Sequence, residues 1–188
     1  MLGSATANLQ IIENVQIKRI TCTGYIGRPV NRILASPVPF PQADVIITES
    51  TYGDRLHDNY EQADDQLFKV LNDTCIQKEG KLIIPSFSVG RTQEIVYALN
   101  GFFNQGKLPR VEIYVDSPLA VNATSVFRVH NECFNNDFQK LLQSDSDPFG
   151  FEGLTYITKT EDSKKLNDYK RPCVIISASG MMEAGRVK

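Results

Sequence analysis

The stretch IIPSFSVGRTQEIVYAL, residues 83–99, joins an apolar strand to a helix through a loop of serine and glycine. The strand, Leu82–Ile84, ends in small polar residues, and the helical spacing of apolar residues starts directly after the glycine. The same design recurs at VIITEST (45–51), VEIYVDSPLA (111–120) and VIISASGMMEAGR (174–186). In an open parallel sheet, strand ends of this kind line a single crevice where ligands bind. Their hydroxyls and free backbone N–H groups at helix starts suit an anion such as phosphate. The expectation is therefore an α/β fold, mostly a parallel sheet flanked by helices, with an anion-holding rim.

Composition narrows the class. The chain has 188 residues, 41% hydrophobic and 22% charged, which fits one good core or a domain with part of another. It has no apolar run of 18 or more residues and no signal-peptide design at its start. Cys22, Cys75, Cys133 and Cys173 are scattered with no CxxC pair, so neither a disulfide framework nor a zinc knuckle is expected, and a cytoplasmic setting is. A net charge of −2 provides no global attraction for a polyanion, which local groups would have to hold.

Working outward, residues 8–24 read as two strands around a turn at Glu13-Asn14. Prolines 29, 37, 39 and 41 then mark a long irregular connection. Beyond Glu49 the pattern alternates between strand and helix. Helical faces are expected at Tyr60, Ala63, Leu67, Val70, Leu71 and Thr74; at Ile95, Ala98, Leu99, Phe102 and Phe103; at Leu119, Ala123, Val126 and Phe127; and at Phe134, Phe138, Leu141 and Leu142. Strands are expected at 82–85, 111–115 and 173–177.

Candidate site residues follow from these loops. Ser86, Gly90 and Arg91 form one phosphate-binding set and Ser177, Ser179 and Gly180 another, while turn chemistry alone also accounts for Ser86 and Ser88. Arg91 is a cation at a helix start, against the helix dipole, which suggests an anion nearby. Asp116-Ser117-Pro118 reads as structural, with Ser117 as N-cap and Pro118 in the first turn. His57 reads as a loop residue and His130 as a helix-end residue; neither is placed for a triad, and no GxSxG elbow supports a serine hydrolase.

Seven segments in order, LGSA (2–5), TGYIGRP (23–29), ESTYGDRLH (49–57), IPSFSVGRTQE (84–94), YVDSPLA (114–120), DPF (147–149) and SASGMMEAGR (177–186), resemble the metallo-β-lactamase-fold hydrolases that carry the β-CASP insertion. These are nucleic-acid phosphodiesterases, and the resemblance is strongest to bacterial and archaeal homologues of the pre-mRNA 3′-end cleavage endonuclease subunit. It implies a two-zinc site in the lactamase-like part and a β-CASP cap over an RNA groove. It also implies that Tyr25 stands where the family keeps a bridging aspartate, and that Glu49 is the cap-associated acidic residue. The family's HxHxDH segment and its late histidines have no counterpart in these 188 residues. The chain is accordingly expected to be a piece of a longer zinc-dependent ribonuclease, with residues 1–57 from the lactamase-like core and 58–188 from the β-CASP domain. No metal site is expected within it. RNA is the expected partner, with no membrane, and exposed strand edges invite a homodimer. A catalytically dead RNA-binding or scaffold module is the alternative, and DNA as substrate stays open.

Overall fold

Two separate sheets organise the described residues. The computed structural model describes residues 2–56, 62–87, 89–178 and 185–186. The first sheet is a hairpin of β1 (Ala7–Glu13) and β2 (Gln16–Cys22), with β3 (Val45–Ile47) parallel to β2. Its turn lies one residue later than the sequence suggests. Asn14 and Val15 both take positive φ, 49° and 66°, as a two-residue type I′ turn requires. Asparagine tolerates that region; a β-branched valine does not adopt it readily. The sheet buries little: Leu9, Ile11, Ile12, Ile17 and all of β3 are exposed.

The second sheet contains β4 (Lys81–Pro85), β5 (Glu112–Asp116), β6 (Leu154–Ile157) and β7 (Cys173–Ser177) in the order β4-β7-β5-β6, and every pairing is parallel. Helices α1 (Ala63–Leu71), α2 (Arg91–Asn104), α3 (Pro118–Val129), α4 (Asn136–Leu141) and α5 (Thr160–Asp168) accompany it. At its end α1 widens into a π-helical stretch, Asn72–Gln77. Burying both faces of a parallel sheet demands strands that are apolar throughout. β7 meets that demand, since all of its residues are buried. Val174 and Ile176 join Ile113, Leu99, Phe127 and Phe138 in the main core. On the opposite face Cys173 and Ile175 pack with Ile157 and Leu166 of α5.

The expected strand at 111–115 is shifted to 112–116, and β6 and α5 are additions that the apolar spacing does not reveal. The face of α3 is also rotated from the expected one. Ala120, Ala123, Thr124 and Phe127 are buried, whereas Leu119 is 61% and Val126 45% exposed. A buried threonine supplies the reason: its hydroxyl donates to Ala120 O at 2.8 Å and accepts from Gln93 Nε2 at 2.9 Å, so a polar residue occupies the inward stripe.

The proline-rich connection is irregular but not loose. Asn31 Oδ1 accepts from the N–H groups of Ile33 and Leu34 at 2.9 and 2.8 Å. Asn135 donates to Asn31 O at 2.7 Å, and Leu34 forms a β-bridge with Phe134. Ile33 thereby enters the main core with 1% of its surface exposed.

Candidate functional site

The register aligns Pro85, Ser177, Asp116 and Ile157 in one row across the four-stranded sheet. The loops that leave this row form its carboxyl-end rim. Three of the four recurring strand-loop segments reach it. The fourth does not, because VIITEST forms β3 of the other sheet; the single crevice expected from the sequence is two sites.

After β4, Ser86 N–H donates to Ser177 O at 2.9 Å, which brings the two candidate loops side by side. Both hydroxyls point inward. Ser86 is 2% exposed, with its Oγ 3.0 Å from Thr92 Oγ1 and 3.2 Å from Phe87 O. Ser177, equally buried, places its Oγ 3.4 Å from Asp116 O and 3.4 Å from Ala178 O. Gly90, at φ 86°, directs its N–H to Gln93 Oε1 at 2.7 Å. Gln93 is fully buried and continues to Thr124 of α3, so the loop is stapled to the neighbouring helix. Arg91 remains 57% exposed and pairs with Glu94 at 3.6 Å. That first-turn carboxylate is the anion beside the cation, and it also accepts from Asn31 Nδ2 at 3.0 Å. Ser88, Ser179, Gly180 and His57 lie outside the described residues.

Asp116 and Ser117 act structurally, as read. Ser117 Oγ accepts from Ala120 N–H at 3.1 Å and Pro118 opens α3. Sequence reasoning misses the partner of Asp116. Its side chain, 3% exposed, pairs with Arg186 at 2.8 Å and accepts from Ser163 Oγ at 2.6 Å. The signal is present in the acid at a strand end, but nothing in the spacing identifies a cation 70 residues away. His130, at the end of α3, lies 2.7 Å from Glu132 through Nδ1.

Glu49 and Tyr25 both lie just beyond strand ends of the other sheet, after β3 and β2 respectively. Thr23 N–H donates to Ile47 O at 2.9 Å, and the Thr23 and Thr48 hydroxyls lie 3.2 Å apart. Glu49 accepts from Thr51 N–H at 2.9 Å. That bond, with the Thr51 side chain and the Ile26 N–H, holds the carboxyl below its ordinary range. Tyr25, 72% exposed, lines a cavity of about 630 Å³ with Ser4, Thr6, Thr23 and Arg28. These donors do not suit the two zinc ions that the resemblance implies. Zinc takes thiolate, imidazole and carboxylate ligands, whereas the described lining of the cavity offers hydroxyls, amides, a phenol and a guanidinium, with the lone thiol of Cys133 as its single zinc-type ligand. Among the described residues no three His, Cys, Asp or Glu side chains converge.

Comparison with known proteins follows the same lines. The Beta-Casp domain family matches residues 92–188, just over half the chain. A ribonuclease of Thermus thermophilus, TTHA0252, is 34% identical over 98% of this chain and 42% of its own length. An RNase J-like protein of Methanocaldococcus jannaschii is 36% identical over the whole chain and 42% of its own length. Cleavage and polyadenylation specificity factor 73 of Drosophila melanogaster is 32% identical over 98% of this chain and 26% of its own length. The chain thus spans less than half of each of these relatives. Among the described residues no helix is long and apolar enough to cross a membrane. With a parallel sheet flanked by helices and a family match that starts inside α2, the chain belongs to the β-CASP family.

Proposed function

We propose that this chain is the RNA-contacting part of a zinc-dependent ribonuclease, with residues 1–57 belonging to a metallo-β-lactamase-like core and 58–188 to the β-CASP domain. The observation that carries the reading is the exposed Arg91, held at the carboxyl-end rim in the first turn of α2, next to a loop stapled by Gln93. Its support from relatives is their naming as ribonucleases. Because the Ser86 and Ser177 hydroxyls are engaged internally, Arg91 is the group left to meet a phosphate oxygen, with Ser179 and Gly180 as proposed companions.

Arg91→Ala should weaken binding of a single-stranded RNA oligomer, measured by fluorescence anisotropy. The slope of log K against log salt should flatten by about 0.7, because one phosphate fewer is neutralised. An unchanged slope would remove the assignment.

The zinc ligands of the proposed parent enzyme would come from residues other than the described ones. Purified chain should carry less than stoichiometric zinc by elemental analysis and leave labelled RNA uncut; stoichiometric zinc with chelator-sensitive cleavage would overturn that. Tyr25 supports a second reading, a catalytically dead RNA-binding or scaffold module, because a phenol replaces a carboxylate poorly as a zinc ligand. Restoring aspartate at position 25 in the longest natural form of the protein separates the two: only a dead module should be indifferent to it. The bare first sheet adds a proposed route to self-association.

A further inference from the structure

We propose that Phe87 is a stacking platform for one base of single-stranded RNA, with Arg91 holding an adjacent phosphate. The inference rests on the RNA-binding reading above and extends it to a residue with no assigned role.

Phe87 follows β4 and is 71% exposed. A single exposed aromatic is ordinary on a protein surface, so exposure alone decides nothing. What sets Phe87 apart is how firmly its backbone is held. Its carbonyl accepts from the Thr92 hydroxyl at 2.9 Å and from the Ser86 hydroxyl at 3.2 Å, and both donors are buried. The ring is therefore presented from a fixed base. Fixing an aromatic side chain on binding costs little conformational entropy, since it has only two rotatable angles.

Beside the ring is a cavity of about 460 Å³, lined by Phe87, Arg91, Asn31 and Glu94 over a floor that includes Pro85 and Phe127. That volume lies within the range of small-molecule sites, about 300–1,000 Å³. The chemistry selects among ligands. Glu94, 3.6 Å from Arg91, weakens the attraction of the guanidinium for a bare phosphate. Affinity must then come mainly from the aromatic ring and the apolar floor, which a free phosphate cannot use and a nucleobase can. Glu94 brings a carboxylate to the lining that can accept from a base amino group, while the Asn31 amide is already engaged by Ile33, Leu34 and Glu94 and serves to hold that carboxylate in place.

The test is anisotropy of a labelled single-stranded oligoadenylate with the full chain and its Phe87→Ala, Phe87→Trp and Arg91→Ala variants over a salt series. Phe87→Ala should weaken binding about tenfold, within the range of one base–aromatic stack. Its salt slope should stay unchanged, since stacking releases no counterion. Phe87→Trp should restore affinity, while Arg91→Ala should flatten the slope. The exposed ring makes Phe87→Ala neutral for folding, which thermal unfolding checks. Wild-type binding that Phe87→Ala leaves intact would overturn the platform alone. No wild-type binding would overturn the RNA reading and the platform together.

Discussion

Arg186 donates from Nη1 to Asp116 Oδ1 at 2.8 Å and from Nη2 to Thr158 O at 2.9 Å, tying the ends of β5 and β6 to a residue beyond β7. The carboxylate is 3% exposed and the guanidinium side chain 20%. Removing one partner of such a buried pair leaves a charge that has lost its solvent and its counter-ion. Arg186→Ala is expected to cost about 3 kcal/mol, read from urea unfolding. Asp116→Asn should cost less, because the buried group is then neutral and Ser163 still reaches it. Equal and small losses for both would show that the pair carries no net weight.

Gln93 makes a second prediction. It joins Gly90 N–H to Thr124 across two helices from a fully buried position. Gln93→Leu keeps the volume and leaves Gly90 N–H without its acceptor, while Thr124 retains its bond to Ala120 O, for an expected loss of about 1–3 kcal/mol. If the staple also positions Arg91, RNA affinity should fall in the folded variant. A double-mutant cycle with Thr124→Val should return a coupling of about 0.5 kcal/mol or more; strict additivity would break the link between the two residues.

Glu49 gives a pH test. Hydrogen bonds from Thr51 hold its folded-state pKa below the ordinary glutamate value of 4.5. A depressed acid contributes stability above its unfolded value and loses it as pH falls through the folded one. The Thr51 amide resonance should therefore titrate with a midpoint below 4.5, and the turn at Glu49–Thr51 should loosen only in more acidic solution. A midpoint at or above 4.5 would deny the interaction.

The first sheet yields the last prediction. Ile12 is 72% exposed on β1, so Ile12→Lys should alter folding stability by less than about 0.5 kcal/mol. Multi-angle light scattering at high concentration should show less self-association than for the unsubstituted chain. An unsubstituted chain that is strictly monomeric would remove the proposed association.

The sequence discloses elements where one physical signal dominates. The helix of Arg91–Asn104 and the strand Cys173–Ser177 are readable because their apolar residues must face a core. α5 is not, because Leu166 is its one buried residue and TEDSKKLND otherwise reads as a solvated run. Its only traces are acids in the first turn and Lys165 in the last, a weak dipole signal. β6 is four residues long, too short for alternation to register. About the site the sequence misleads in one consistent way. Ser86 and Ser177 look like free hydroxyls on a rim, yet a residue at a strand end points to one face or the other by parity. That parity depends on a register that composition does not carry. Glu94 is the exception that spacing could have supplied, since three residues along a helix are enough to pair it with Arg91.

The strand order has a consequence for synthesis. β4 and β5 do not hydrogen-bond to each other; each pairs with β7, which follows both of them in the chain. As the ribosome extrudes the chain, both wait with open, apolar edges while everything from Ser117 to Pro172 is added. The domain therefore cannot close progressively from its N-terminus. It closes when one fully buried strand slots between two that are already present, and pairings so distant along the chain form slowly. Any stall before Ser177 leaves two adhesive edges facing an empty slot, and such nascent chains are natural clients for chaperones.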